Sequence, residues 1–210
     1  MADYIVVKEG AQGVYEEKKS EFIARTYPVE SEEEIASYIE AARKKYWDAR
    51  HNCYAFVLGD NNEITRCSDD GEPQGTAGKP ILEVITKSDI HNCLVIVTRY
   101  FGGVLLGTGG LVRAYTQAAK EAVANSTLAK RIPGSRYLVE CEYTSEGKIR
   151  YALTMLGADI SKVDYTDKVN FLIVVEKEKS EEFIKKITEV TNGRAVITKD
   201  CDLPVELPIL

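Results

Sequence analysis

Apolar residues recur along this chain with two different periods. After Ser31, the positions Ile35, Tyr38, Ile39, Ala42 and Tyr46 are spaced by three or four, the stripe of an amphipathic helix. Ser31 and Glu34 stand at the spacing of a capping box and set its start. A second helical stripe, Leu111, Ala114, Tyr115, Ala118 and Ala122, predicts a helix from about Leu111 to Ala124, with Arg113, Gln117 and Lys120 on its outer face. Between these helices the period shortens. "HNCYAFVLGD" and "EITRCSDD" read as strands meeting at the turn "GDNNE". "NCLVIVTRYF" is a strongly apolar strand, and "GVYEEKKSEFIARTYPV" supplies one or two more. "GEPQGTAG" has no period and must be loop, and Pro80 suits the first turn of a helix through "ILEVITK".

Pro133 and Gly134 in "RIPGSRY" predict a break, and a domain boundary is placed there, giving residues 1–133 and 134–210. The second part alternates regularly. "SRYLVECEYT" is a strand. Ser145 caps a helix with Ile149, Ala152, Leu153 and Leu156 on one face, ended by Gly157. Two strands follow, joined near Asp167. Ser180 then caps a helix with Phe183, Ile184, Ile187 and Val190 inward, stopped by Asn192-Gly193, before a last strand. The order β-α-β-β-α-β is that of a ferredoxin-like sandwich, so the chain is expected to be α+β in both parts.

The 210 residues suffice for real cores. No run of 18 apolar residues predicts a membrane span, and the N-terminus lacks the pattern of a signal peptide. The five scattered cysteines then read as reduced thiols in a cytoplasmic protein. Net charge is −6, which disfavours non-specific nucleic-acid binding. The distribution changes that picture locally. From Ile90 to Lys120 there is no Asp or Glu, while Arg99, Arg113 and Lys120 are present.

That window holds "TRYFGGVLLGTGGLVRAY". It is neither a P-loop nor a dinucleotide fingerprint, since Pro80 follows Gly78-Lys79 and Val112 stands where a third glycine is required. Two readings stay open. In one, the amides of Gly109, Gly110 and Leu111 begin a helix and meet an anion, with Thr108 as cap or donor, Arg99 and Arg113 flanking, and Gly102, Gly103 and Lys79 contributing nearby. In the other, the glycines only turn the chain. "SDDGE" places Asp69, Asp70 and Glu72 together. A solvated acidic turn is favoured over a metal site, and Asp69 or Asp70 could pair with Arg99 to lock the two loops. His51 and Cys53 share a strand face, a pairing chemically suited to nucleophilic catalysis but more often structural. No cofactor or metal is predicted.

The run "GKPILEVITKSDIHNCLVIVTRYFGGVLLGTGGLVRAY", preceded by "SDDGEPQGTAG" and "KKSEFIA", resembles the IMPACT family. The likeness covers most of residues 15–125, and the tail resembles the second domain of bacterial members. The resemblance implies an N-terminal domain of the kind found in a small-subunit ribosomal protein and an elongation-factor domain. It implies a C-terminal domain similar to another elongation-factor domain, and a part in translation control and the response to stress. Eukaryotic members inhibit a starvation-activated kinase pathway by competing for the kinase's co-activator, helped by an additional N-terminal domain. The chain begins at the shared domain, so that role is not carried over. The family's motifs fall on Lys19, Ser20 and Phe22, on His51, on Asp69 through Gly78 including Thr76, and on Arg99 through Arg113; the resemblance gives none of them a catalytic role. The expectation is a module that binds RNA or the ribosome, with a protein partner in translation control also open. The alternative is an enzyme using the same loops on a small phosphorylated or carboxylated substrate.

Overall fold

A computed structural model describes residues 3–209. They form two compact units, built mainly from residues 4–130 and 131–207.

The N-terminal unit is organised on five antiparallel strands in the order β2-β3-β7-β4-β5: β2 Gln12–Glu17, β3 Ser20–Pro28, β4 His51–Leu58, β5 Ile64–Ser68 and β7 Cys93–Tyr100. Helices cover both faces. α1 (Glu32–Lys45) packs Ile35 and Ala42 against Phe56, Leu58, Leu94 and Ile96. α2 (Gly78–Lys87) and α3 (Gly107–Asn125) pack against Phe22, Cys53, Ala55, Val95 and Val97 on the other face. The central strand β7 is therefore buried on both sides, which is why its sequence is a continuous apolar run rather than an alternation. α3 approaches the sheet through Ala114, Ala118 and Ala122, all fully buried. It lies so close to β2 that a Cβ on Gly13 would stand 2.4 Å from the Ala122 nitrogen.

Two short strands lay outside the sequence reading. β1 (Tyr4–Glu9) pairs in parallel with the two-residue β6 (Ile90–His91). The capping box at α1 forms in altered shape. Ser31 Oγ accepts from the Glu34 amide at 3.2 Å, but the Glu34 carboxylate reaches the amide of Glu30 at 2.8 Å, one residue before the cap.

The C-terminal unit has the element order β8 (Thr127–Cys141), α4 (Glu146–Leu156), β9 (Asp159–Tyr165), β10 (Val169–Glu176), α5 (Ser180–Val190) and β11 (Val196–Pro208). Its strands lie in the order β11-β8-β10-β9, the ferredoxin-like arrangement. Along β10, Val169, Phe171, Ile173 and Val175 point inward and meet Ile149 and Leu153 of α4 and Phe183 and Ile187 of α5. Gly157 ends α4 in the left-handed conformation, φ 62°. Ser145 and Ser180 do not cap as expected. Ser145 makes no side-chain capping bond, and Ser180 is already the first residue of α5.

The division between the units falls between Lys130 and Arg131, whereas Pro133 and Gly134 lie inside β8. Gly134 pairs with Glu176. A Cβ on it would stand 2.3 Å from Val205 Cγ2 and 3.0 Å from two carbonyl oxygens. Its glycine answers to close strand packing, not to a break in the chain.

Candidate functional site

The acidic loop after β5 turns its carboxylates back into the protein. Asp69 accepts from the amides of Gly75 (2.8 Å), Ala77 (3.0 Å) and Gly78 (2.8 Å). The last two begin α2, so Asp69 supplies the anion that this helix start requires. Burial alone would raise the Asp69 pKa, but the three amide donors outweigh it and hold the carboxyl below the usual aspartate value. Asp70, in the left-handed region at φ 41°, faces the other way. It takes Arg43 at 2.9 Å and the Asn52 amide at 2.7 Å, while its carbonyl lies 2.9 Å from His51 Nδ1. Thr76, buried, donates to the Pro73 carbonyl. Lys79 is exposed, but the amides beside it are already served by Asp69, so no anion-binding helix start remains there.

Glu72 does what was expected of Asp69 or Asp70. Its Oε1 lies 2.6 Å from Arg99 Nη1, with side-chain exposures of 4% and 8%. The same oxygen accepts from the Tyr115 hydroxyl at 2.8 Å. The Cys53 thiol donates to the Asp69 carbonyl and to the Tyr115 oxygen. Burial pushes both the Cys53 and the Tyr115 pKa far above their ordinary values, so this thiol stays protonated at neutral pH. The two glycine-rich segments are thus joined by a buried ion pair and a tyrosine that the sequence marked only as a core position. The available signal was chemical, since a tyrosine on a buried stripe needs a partner for its hydroxyl.

The second segment begins where β7 ends. Arg99 pairs in register with Phe22 of β3 and His51 of β4. Gly102 donates to Ser20 Oγ at 3.1 Å, and a Cβ on it would stand 2.0 Å from the Lys19 carbonyl carbon. Lys18 and Lys19, both left-handed and exposed, form the tight turn between β2 and β3. Gly103 needs its positive φ of 85° and is exposed.

α3 starts at Gly107, not Leu111. The unpaired amides of its first turn are therefore those of Gly107, Thr108 and Gly109, two residues earlier than expected, while Gly110 is buried within the helix. No side chain caps this end, its first turn has no acidic residue, and Gly107, Thr108 and Gly109 are exposed. Arg113 is exposed, with Nη1 3.7 Å from where a Cβ on Gly109 would stand. Arg113 thus accompanies the helix start, whereas Arg99 is engaged by Glu72. Phe101, Val104 and Leu105 project from the intervening loop. Among the described residues, no three His, Cys, Asp or Glu side chains converge to hold a metal ion, and no helix is long and apolar enough to cross a membrane.

Fold and loops together define a two-domain α+β protein whose N-terminal unit carries two interlocked glycine-rich loops. Residues 18–123 match the Impact N-terminal domain, and residues 139–194 match a domain of unknown function, DUF1949. The chain is 37% identical over 194 residues to the IMPACT family member YvyE of Bacillus subtilis, covering 92% of this chain and 89% of that protein. It is 34% identical to the IMPACT family member YigZ of Escherichia coli, covering 92% and 96%. A crystal structure of a hypothetical protein, 33% identical, aligns over 96% of this chain and 98% of its own with a TM-score of 0.62. This chain belongs to the IMPACT family. The likeness to Protein IMPACT of Xenopus laevis spans only 43% of this chain and 30% of that protein.

Proposed function

We propose that the protein acts in translation control by docking on RNA, free or within the ribosome, through the glycine-rich end of its N-terminal unit. The observation that carries this reading is the uncapped start of α3. The amides of Gly107, Thr108 and Gly109 are exposed, no carboxylate serves them, and Arg113 stands beside them. Such a start favours a phosphate. The contrast with α2 is informative, because there Asp69 already fills the equivalent place. Lys18 and Lys19 add exposed cations, and Phe101 and Leu105 offer surface for unstacked bases. Family membership supports the reading through the translation-regulatory role that the resemblance to eukaryotic members implies. The kinase-pathway role of those members is not part of the proposal, and a protein partner in translation control is compatible with it.

The enzyme alternative finds its candidate groups already engaged. Asp69, Asp70 and Glu72 hold amides, Arg43 and Arg99; His51 is tied to a carbonyl; Cys53 is a protonated, buried thiol.

Co-sedimentation with purified ribosomes at low salt tests the proposal. The wild-type chain is expected in the pellet and the Lys19→Ala/Arg113→Ala double variant largely in the supernatant. Equal pelleting of the two would reject this surface.

A further inference from the structure

On the face of the sheet opposite α2 and α3, α1 packs over β4 and β7 and leaves a gap beside β3. Tyr38, Ala42 and Lys45 of α1 face Ile23, Arg25 and Tyr27 of β3 across a pocket of about 200 Å³. Each wall is one face of its element, at helical spacing on α1 and at alternate residues on β3. The gap has a local cause. Ala41 and Ala42 are too short to fill the space under the helix, so Tyr38 and Tyr46, expected on its buried stripe, stay half-buried. An apolar cavity of about 150 Å³ holds benzene. The present pocket has room for one ring and a short arm, and is smaller than the roughly 300–1,000 Å³ of sites that enclose larger ligands.

The charge on the pocket has one sign. Among the described residues no Asp or Glu lines it, whereas Arg25 and Lys45 do. Of the three cations in the last turn of α1, Arg43 takes Asp70 at 2.9 Å and Lys44 takes Glu40 at 2.7 Å. Lys45 has no carboxylate partner among the described residues and lies 4.9 Å from the Tyr46 ring centre. Arg25 has none either. Its guanidinium carbon lies 5.6 Å from the Tyr27 ring centre, and Tyr27 stacks on Tyr38 at 4.4 Å. The acidic groups that act on the neighbouring Tyr100 are Asp48 and Glu21. Asp48 is held by the Tyr100 hydroxyl at 2.8 Å. Glu21 stands four residues from Arg25 along β3, about 13 Å away, too far to neutralise it. Burial raises the Tyr27 pKa although Arg25 opposes it, so this hydroxyl keeps its proton and is able to donate.

We propose that this pocket binds a small aromatic carboxylate, with its ring enclosed between α1 and β3 and its carboxylate met by Arg25 and Lys45. A guanidinium fork matches a planar carboxylate, and tyrosine walls suit the edge or face of a ring. The site goes beyond the docking surface argued above. It lies on the other face of the sheet from α3 and shares no residue with that surface.

The test reads the helix wall. In the ¹⁵N-labelled full chain, the assigned amide resonances of Ala41, Ala42 and Tyr46 are followed during addition of 3-phenylpropionate, its neutral analogue 3-phenylpropanol, or acetate, at constant pH and ionic strength. A saturable shift with 3-phenylpropionate is expected, with a dissociation constant of about 1 mM or tighter. The alcohol should bind about tenfold more weakly. Arg25→Gln, at an exposed position, should weaken the acid about tenfold and leave the alcohol unchanged. Ala41→Leu, which fills the pocket from an exposed helix position, should abolish binding of both. Amides that 3-phenylpropionate leaves unmoved at about 10 mM overturn the proposal. So does an Arg25→Gln variant with unchanged affinity for the acid. Equal affinity for acetate would reduce the site to a charged surface and overturn it too. Tighter binding of N-acetyl-aspartyl-phenylalanine amide would assign the pocket to a protein partner and overturn the small-molecule reading. No readout here involves RNA or ribosomes, so failure leaves the α3 surface standing, and failure of ribosome binding leaves this pocket standing.

Discussion

Glu72 and Arg99, 27 positions apart, meet at 2.6 Å with less than a tenth of either side chain exposed. The contact welds the acidic loop to the end of the central strand. Removing one partner of such a pair strands the other charge in the interior. Glu72→Ala should therefore lower the unfolding free energy by about 3–5 kcal/mol, read from urea denaturation. A loss below about 1 kcal/mol would place the pair among surface ion pairs in its energetic effect.

Asp69 makes the acidic loop sensitive to pH. Its folded-state pKa is lowered, because three amide donors outweigh the opposing effect of burial. The stabilisation is therefore fully present above the unfolded value of about 3.9 and is lost as pH falls through the lowered folded value. Unfolding midpoints of the wild type and Asp69→Asn should differ most near neutral pH and converge in acid. A gap that widened in acid would contradict the assignment.

The thiols should divide by burial. Cys67 is exposed, whereas Cys53 and Cys93 are buried, and burial pushes the Cys93 pKa up to about 12 and that of Cys53 further. Iodoacetamide on the native protein should modify Cys67 well before either buried thiol, as followed by peptide mass spectrometry. Rapid modification of Cys53 would revive it as a nucleophile.

Lys18 and Lys19 occupy the left-handed region in a two-residue turn, at φ 47° and 64°. Such turns prefer Asn-Gly. Lys18→Asn with Lys19→Gly should hold or raise stability, by up to about 1 kcal/mol, while weakening RNA binding through the two lost cations. A stability gain with unchanged RNA affinity would remove this turn from the docking surface.

Much of the fold could be read from periodicity. The stripe on α3 and the unbroken apolar run of β7 follow directly from which faces are buried. What escaped was short or ambiguous. β6 is two residues long, and the start of α3 was hidden by three glycines, whose helix propensity is poor and of which only Gly110 is buried. Pro133-Gly134 resembled a break because the sequence cannot distinguish a glycine that turns the chain from one that admits a neighbouring strand. The site was legible as a set of loops but not as a wiring. Asp69, Asp70 and Glu72 are near-equivalent in sequence, and only the left-handed backbone at Asp70 and Gly71 sends the three carboxylates to amides, to Arg43 and to Arg99.

The central claim is that phosphates meet the uncapped start of α3 beside Arg113. Its most direct test is the salt dependence of binding to a single-stranded RNA, compared between the wild type and Arg113→Ala. The account predicts weaker binding by the variant, with the slope of log affinity against log salt shallower by about 1. Identical affinity and slope in the two proteins would contradict it.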